Sequence, residues 1–521
     1  MAVRAYILIL DAGSGSGRAI LFDTEGNEVS VVQREWLPKT LPQYAGSQVF
    51  DTQEGWRTLC FCTREVIAKS GIHPNQIIGI SATSMREGMV LYDRDLLEIW
   101  ACPNVDARAS DEVVEMLQEG IAEELYRIGG DWLSIISPPR FRWIKKYEPA
   151  ILQRTAHMSM ISDWILFKLT GTIVTDPTNG SSSGLFELKA RGWSEAAIKL
   201  CGLPDGIYPP VVEPGTTIGE TTPQAAAITG LRAGTPVIAG GADTQLALLG
   251  TGSIRAGDWT LVGGTFWQAT VIWDQPLIDH ACRPRTLCHV NKGHWMTEAL
   301  AFLVGQQARW FRDGFCGEEV QQAKEQGCDP YYLMDKLAAQ VPPGSNGVLG
   351  LFSAVHNSRY WKHAAPSLLN FDIYNPARSG KRECIRALWE SAVYASYGNL
   401  MVLKELTHTT PDHMTFCGGA SRSFLWPQII ADVFGIPIAV PVNKEASSFG
   451  CAMCVAVGAG LFDNFHDATG DWVKIEREFL PQPGARSAYS EHYERWSTVY
   501  TEFMKIVNHG LLTPMWRAPG T

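Results

Sequence analysis

The residues best suited to chemistry open the chain: Asp11, then Gly13, Ser14, Gly15, Ser16 and Gly17 in the run DAGSGSGR. Their spacing separates this loop from two familiar phosphate-binding patterns. A dinucleotide fingerprint needs G-x-G-x-x-G leading from a strand into a helix, and a Walker loop needs Gly-Lys-Ser/Thr so that its lysine reaches the outer phosphates. Here Gly17 is followed by Arg18 and the apolar run Ala19, Ile20, Leu21, Phe22, closed by Asp23 and the turn residues Glu25, Gly26 and Asn27. The loop therefore joins two strands as a hairpin. Its glycines permit positive φ and let backbone N–H groups face an anion, and Ser14 and Ser16 add hydroxyl donors. Asp11 would repel a phosphate unless a hard divalent cation lay between them, so it predicts Mg²⁺. An ordinary glycine–serine hairpin tip accounts for the loop equally well.

Three further segments share this character. PVIAGGADTQLALLG (236–250) reads as a strand, a Gly240-Gly241 turn, Asp243 and a helix. DWTLVGGTFWQATVIWD (258–274) reads as strand, Gly263-Gly264-Thr265, strand, an echo of the opening hairpin. HMTFCGGASRSFLWPQIIADVFGIPIAV reads as a strand, a Gly418-Gly419 turn, a helix capped near Ser421 and stopped at Gly435, then a strand. A turn entering a helix N-terminus favours anions, although a plain strand-to-helix connection fits it as well. Arg86 and Glu87 directly follow the strand-like run IIGISATS (77–84). They can donate to and accept from neighbouring hydroxyls, or they form a surface ion pair.

The elements that must position these residues alternate between strand-like and helical runs, the pattern of an α/β protein. At 521 residues the chain exceeds one core, and the echo of the first hairpin places a boundary near 250, giving domains 1–250 and 251–521. CIRALWESAVYASYGNLMVLKEL (384–406) carries apolar residues at helical spacing and belongs to a core. Net charge is −10, which offers no overall field for nucleic acid or an anionic membrane. FGCAMCVAVGAGLF (449–462) is the longest uncharged stretch and too short to span a bilayer, so it reads as a buried helix. The start MAVRAYILIL is too short for a signal sequence, so a cytoplasmic location with no membrane partner is expected. Twelve scattered cysteines form no framework, and the pairs Cys451/Cys454 and Cys60/Cys62 lack a second pair at zinc spacing.

DAGSGSGR, GGAD, GGT and CGGASRSFLWPQIIADVFGIPI with KEASSFGCAM resemble, in this order and at these separations, the FGGY carbohydrate kinases of the actin-like ATPase superfamily. That resemblance runs over nearly the whole chain. It implies two ribonuclease-H-like domains with a catalytic cleft between them, ATP and Mg²⁺ as cofactors, and a small-molecule acceptor. It places Asp243 as general base and substrate ligand, Asp11 near the magnesium, and Gly13, Ser14, Gly15, Ser16, Gly264 and Thr265 around the phosphates. Gly418, Gly419, Ala420 and Ser421 would line the adenosine, and Arg86 and Glu87 would hold substrate hydroxyls. Asp106 and Arg108 fall in a segment expected to help line the acceptor pocket. Ser14 departs from the threonine usual in the family and keeps its hydroxyl.

Within the family, SMREGMVLYD, IWACPNVDARAS, MISDWI, TDPTNGSSSGL, HAAPS and the final HGLLTPMWRAPG are similar to the members that act on the quorum-sensing signal autoinducer-2. This implies phosphorylation of its open-chain form, 4,5-dihydroxy-2,3-pentanedione, on the C5 hydroxyl. Pentulose or glycerol kinase is the alternative within the family. A non-catalytic actin-like scaffold or a signal sensor is the alternative outside it: Asp243 with Arg86-Glu87 argues against the scaffold, and a sensor would bind the signal without consuming ATP. Some relatives answer to proteins of the sugar phosphotransferase system, for which no docking residues stand out.

Overall fold

A computed structural model describes residues 4–37 and 39–521. Two mixed sheets organise the α/β chain. In the first the strand order is Thr217–Glu220, Pro236–Ile238, Ile77–Ser84, Tyr6–Ala12, Ser16–Asp23, Glu28–Glu35, with the short Gly241–Ala242 also pairing with Ile77–Ser84. In the second it is Arg285–Cys288, Trp295–Ala301, Trp267–Trp273, Trp259–Gly263, Met414–Cys417, Ile438–Pro441, Ile475–Phe479. Each sheet contains the same unit: a three-stranded antiparallel meander, two strands continuing in parallel from the meander's first strand, and an antiparallel edge.

The run YILILDA is apolar on both sides because both faces of its strand are covered. Leu8 and Leu10 pack under the helix Thr52–Ser70, while Ile7 and Ile9 point to the opposite face. That opposite face is covered by the helix Ala446–Gly458, which comes from far along the chain and buries Phe449, Cys451, Met453 and Val455 against it. The helix Asp243–Gly250 makes the reciprocal connection: Leu248 packs with Ile272, Leu287 and Met296 of the second sheet. The amphipathic run expected near 384–406 is the 27-residue helix Lys381–Thr407, the long core helix of the second half.

The helices Asp243–Gly250 and Ala446–Gly458 cross at glycines. A Cβ at Gly450 would lie 1.9 Å from the Leu246 carbonyl oxygen, and one at Gly250 would lie 2.1 Å from that of Ala446. No side chain fits in either place.

Two local expectations are corrected. The helix after Gly418-Gly419 is not capped near Ser421: it spans Trp426–Phe434, and the Ser423 hydroxyl accepts from the N–H groups of Leu425 and Trp426. Pro427 at the second helical position suits that late start, since its missing N–H falls where no helical partner exists. Gly13, Gly15 and Gly17 do not use positive φ. Gly17 is required by packing instead, because a Cβ there would lie 2.6 Å from the Trp36 ring.

Gly450→Ala sets two effects against each other. Alanine favours a helix by about 1 kcal/mol over glycine, but overlap with a backbone carbonyl cannot be relieved by a rotamer change, and overpacking costs roughly 1–3 kcal/mol or more. Overlap is expected to win, so the variant should show a lower thermal midpoint by calorimetry, whereas the same change at Gly314, inside the helix Val304–Phe315 with open space around an added Cβ and no positive φ, should not lower it.

Candidate active site

Asp243 is the first residue of the helix Asp243–Gly250, immediately after the short strand Gly241–Ala242. Its carboxylate accepts from its neighbour's N–H, Thr244, at 2.7 Å, and its side chain is 41% exposed. That exposure opens into the cleft rather than onto the outer surface, and burial pushes the carboxyl up to about 6 against the opposing pull of Arg86. The turn carrying Asp243 is keyed by the short helix Pro177–Ser182. The Thr178 hydroxyl accepts from Ala242 N–H at 2.8 Å and donates to Asp176, and the Thr178 carbonyl accepts from Gln245. The same helix reaches the second sheet, where Ser181 accepts from the N–H of Cys288 at 3.0 Å.

A buried charge network adjoins Asp243. Arg86 Nε lies 3.8 Å from Asp243 Oδ1 and 3.8 Å from Glu87 Oε1, and Arg86 Nη1 donates to Glu298 at 2.8 Å. Glu298 and Arg285 face each other across adjacent antiparallel strands, with Arg285 Nε 3.1 Å from Glu298 Oε1, and Arg285 also donates to Glu87. Burial alone would raise the Glu87 carboxyl, but Arg285 and Arg86 hold it below its ordinary range. Glu87 has φ of 61°, a left-handed conformation that costs a non-glycine residue about 1 kcal/mol or more. Arg140 ties this bend down by donating to the carbonyls of Glu87, Pro103 and Asn104. Asp131, 3.6 Å from Arg285 Nε, completes the group, and its burial raises its own carboxyl despite the arginine.

Asp243, Arg86, Glu87, Arg140 and Arg285 line a cavity of about 610 Å³. A second cavity of about 470 Å³ lies against Gly419, Ala420, Tyr332, Phe424 and the Trp389–Trp426 stack, whose rings are 4.3 Å apart. Gly264 and Thr265 line both, so the two cavities meet at that turn. Added Cβ atoms at Gly15 and Gly419 would meet nothing within 4 Å, and one at Gly264 would approach only Phe266 O at 3.7 Å. Neither positive φ nor protein packing explains glycine at these three positions, whereas a ligand lying against bare backbone would. Gly418 differs: its φ is 83° and a Cβ would lie 2.6 Å from Gly263 O, so it is glycine because two loops touch.

Of the residues expected from the sequence, Arg86, Glu87, Asp106, Asp243, Ser14, Gly264 and Thr265 come together on the larger cavity, and Gly419 and Ala420 on the smaller. Ser14 donates to Asn104, and Ser16 begins the second strand and accepts from Gln33. Ser421 is fully buried and its hydroxyl donates back to Gly418 O, so it shapes the loop without facing the cavity. Arg108 is also turned away. Its guanidinium binds Asp106 and the Gln48 carbonyl between the Trp100 and Trp143 rings, and the Asp106 carboxylate is already taken by Arg108 and Gln48 N–H. Asp11 pairs with its cross-strand neighbour Arg18, which also binds Glu445 at 2.8 Å. Burial raises the Asp11 carboxyl while Arg18 opposes this. Sequence reasoning missed Arg140, Arg285 and Glu298, which lie in ordinary-looking helix and strand runs, and the aromatic wall of Phe302, Trp361 and Trp516.

Two cavities joined at one glycine turn, with the Asp243 carboxylate lining the larger of them, suit transfer of a group between two bound molecules. The N-terminal domain of the FGGY family of carbohydrate kinases matches residues 6–250, and its C-terminal domain matches residues 252–459. The chain belongs to the FGGY family of carbohydrate kinases. It is similar to the autoinducer-2 kinase of Escherichia coli strain K12, 40% identical over 518 residues that cover 99% of this chain and 98% of that one. With the autoinducer-2 kinase of Yersinia pseudotuberculosis serotype O:3 strain YPIII it shares 41% over 519 residues, again 99% and 98%. Among solved structures, xylulose kinase from Rhodospirillum rubrum has a TM-score of 0.83 at 24% identity, covering 96% of this chain and 99% of that one. Plasmodium falciparum glycerol kinase with ADP has 0.83 at 17%, covering 95% and 98%. The fold is that of the actin-like ATPases. The chain is accordingly a phosphotransferase with an alcohol acceptor, taking ATP and a small molecule. No helix among the described residues is long and apolar enough to cross a membrane.

Thr178→Val removes both hydroxyl hydrogen bonds that hold the Asp243 turn. It is expected to lower kcat about 10- to 100-fold, the penalty of a small misplacement of a reacting group, with KM for ATP little changed, and Thr178→Ser should restore most of the rate in steady-state assays.

Proposed function

We propose that the protein transfers the γ-phosphoryl group of ATP to the C5 hydroxyl of 4,5-dihydroxy-2,3-pentanedione, the open-chain form of autoinducer-2, with Asp243 as general base. The observation that carries the reaction is the junction at Gly264 and Thr265, with Asp243 and Arg86 on the acceptor side and the Trp389–Trp426 pocket on the nucleotide side. The observation that favours this acceptor is identity of 40–41% across whole chains to proteins named autoinducer-2 kinase.

In this reading the adenosine lies against Gly419 and Ala420, and its phosphates run toward the bare backbone of Gly264, Thr265 and Gly13 to Ser16. Arg86 orients the acceptor, and Asp243 takes the proton from its hydroxyl as that oxygen bonds to the γ-phosphorus and the bond to ADP breaks. Among the described residues no group of three or more His, Cys, Asp or Glu could hold a metal alone. Asp11 and Asp243 stand near enough to act on each other's charge, and one or two carboxylates plus phosphate oxygens suit Mg²⁺. The residues therefore fit a cation carried in with ATP, which Asp11 would help to hold while Arg18 keeps that carboxylate in place. Bound there, Mg²⁺ would neutralise charge on the phosphates.

Because the ionised Asp243 is the base and its carboxyl sits near 6, kcat/KM should fall about tenfold per pH unit below about 6 and level off above it. Asp243→Asn should lose about 10²- to 10⁴-fold in rate with ATP binding retained, and a turnover close to the parent's would remove it as the base. The acceptor is tested by mixing protein and Mg²⁺-ATP separately with the pentanedione, xylulose, ribulose and glycerol, following ADP release and product mass. Phosphate added chiefly to the pentanedione supports the reading, and preference for another acceptor overturns it.

A further inference from the structure

The acceptor cavity is charged at one end and aromatic at the other. Along the strand Trp295–Ala301 and its continuation, Glu298, Leu300 and Phe302 fall on one face because strand side chains alternate. Glu298 lies behind Arg86 and Arg285, whereas Leu300 and Phe302 line the cavity itself. Polar floor thus gives way to apolar wall within about 7 Å along one strand.

The chain's last segment closes that apolar end. Lys362 and His363 pair antiparallel with Arg517 and Trp516, Met515 N–H donates to His363 O at 3.1 Å, and Ala518 N–H to Trp361 O at 2.8 Å. Trp516 packs its ring 4.3 Å from Trp361 and 4.7 Å from Phe302, and all three line the acceptor cavity. Beyond them the segment leaves the second half of the chain. Gly520, at φ of 82°, sits so close to the first half that a Cβ would lie 2.5 Å from Leu117 Cδ1. Leu117 belongs to the helix Ser110–Gln118, whose first residue also lines the cavity. Residues 515–520 therefore run from one half to the other across the acceptor site.

We propose that this segment is a specificity-determining wall, with Trp516 seating an apolar end of the acceptor opposite the hydroxyl that reacts at Asp243. The acceptor class it selects is a short chain with hydroxyls at one end and a methyl ketone at the other. A polyol of the same length presents hydroxyls where Trp516, Trp361 and Phe302 offer no hydrogen-bonding partner on their ring faces, and an unpaired hydroxyl is penalised on burial. A methyl group there gains instead from the apolar surface it covers, an effect worth about 10- to 200-fold in discrimination. The proposal rests on the acceptor reading given above for the choice of ligand, but the wall itself can be judged separately.

The test compares the parent, Trp516→Ala and Trp516→Leu in the full chain, measuring kcat and KM for the pentanedione and for xylulose at saturating Mg²⁺-ATP, and KM for Mg²⁺-ATP at saturating acceptor. Trp516→Ala is expected to lose at least tenfold in kcat/KM for the pentanedione, mainly through KM. Its ratio of pentanedione to xylulose efficiency should fall by a similar factor while KM for ATP stays within twofold. Trp516→Leu, apolar and leaving the main-chain pairing at 515–518 in place, should fall between. If the parent itself prefers xylulose, the acceptor reading fails, yet a ratio that shifts in the variants still supports the wall. An unchanged ratio in both variants, with KM for ATP preserved, overturns it.

Discussion

The crossing of Asp243–Gly250 with Ala446–Gly458 is the contact on which the rest of this molecule depends. Two backbones approach until neither Gly250 nor Gly450 has room for a methyl group, and each helix is packed on the sheet of the other half. The first residue of one of these helices is Asp243. Its place in the cleft is therefore set by the same contact that joins the halves, and any change in the crossing moves the carboxylate relative to the Gly264–Thr265 turn.

Around that contact the polar groups are arranged in tiers. Arg86 touches Asp243, Glu298 and Arg285 fix Arg86 and Glu87, and Arg140 fixes the strained bend at Glu87. Almost every member is buried, so each charge relies on its partner rather than on water, and removing one would strand another. Such a network is expensive to assemble, because each of its charges is taken out of water and must be matched by a partner.

Much of this was legible in the residues. Strands and their glycine turns are local, so the hairpins at 6–23 and 259–273, the strand 77–84 and the long helix near 384–406 follow from pattern alone. What escaped is non-local. Arg285 and Glu298 look like charges on strands of no special character until the register pairs them beneath Arg86. The opening loop's glycines were read as permitting positive φ and close backbone approach, yet none of Gly13, Gly15 and Gly17 uses positive φ: Gly17 answers to the Trp36 ring, while Gly15, like Gly264 and Gly419 elsewhere, faces open space. Arg108 carried the right charge in the right segment but is held between two indoles, which only packing could decide. The helix expected to start at Ser421 begins at Trp426 because Ser423 supplies the capping hydroxyl.

The exchange of helices between halves also bears on how the chain is made. Ile7, Ile9, Phe22 and Ile238 form one face of the first sheet, and that face is covered by residues 446–458, Ala468 and Trp472 together with Leu246 and Leu249 of the helix Asp243–Gly250. A ribosome delivers the strands long before it delivers most of their cover, so roughly the first half of the chain emerges with an apolar sheet face only partly covered. Nascent chains stalled before residue 446 should bind chaperones through that face, and release should follow synthesis of the helix that buries it.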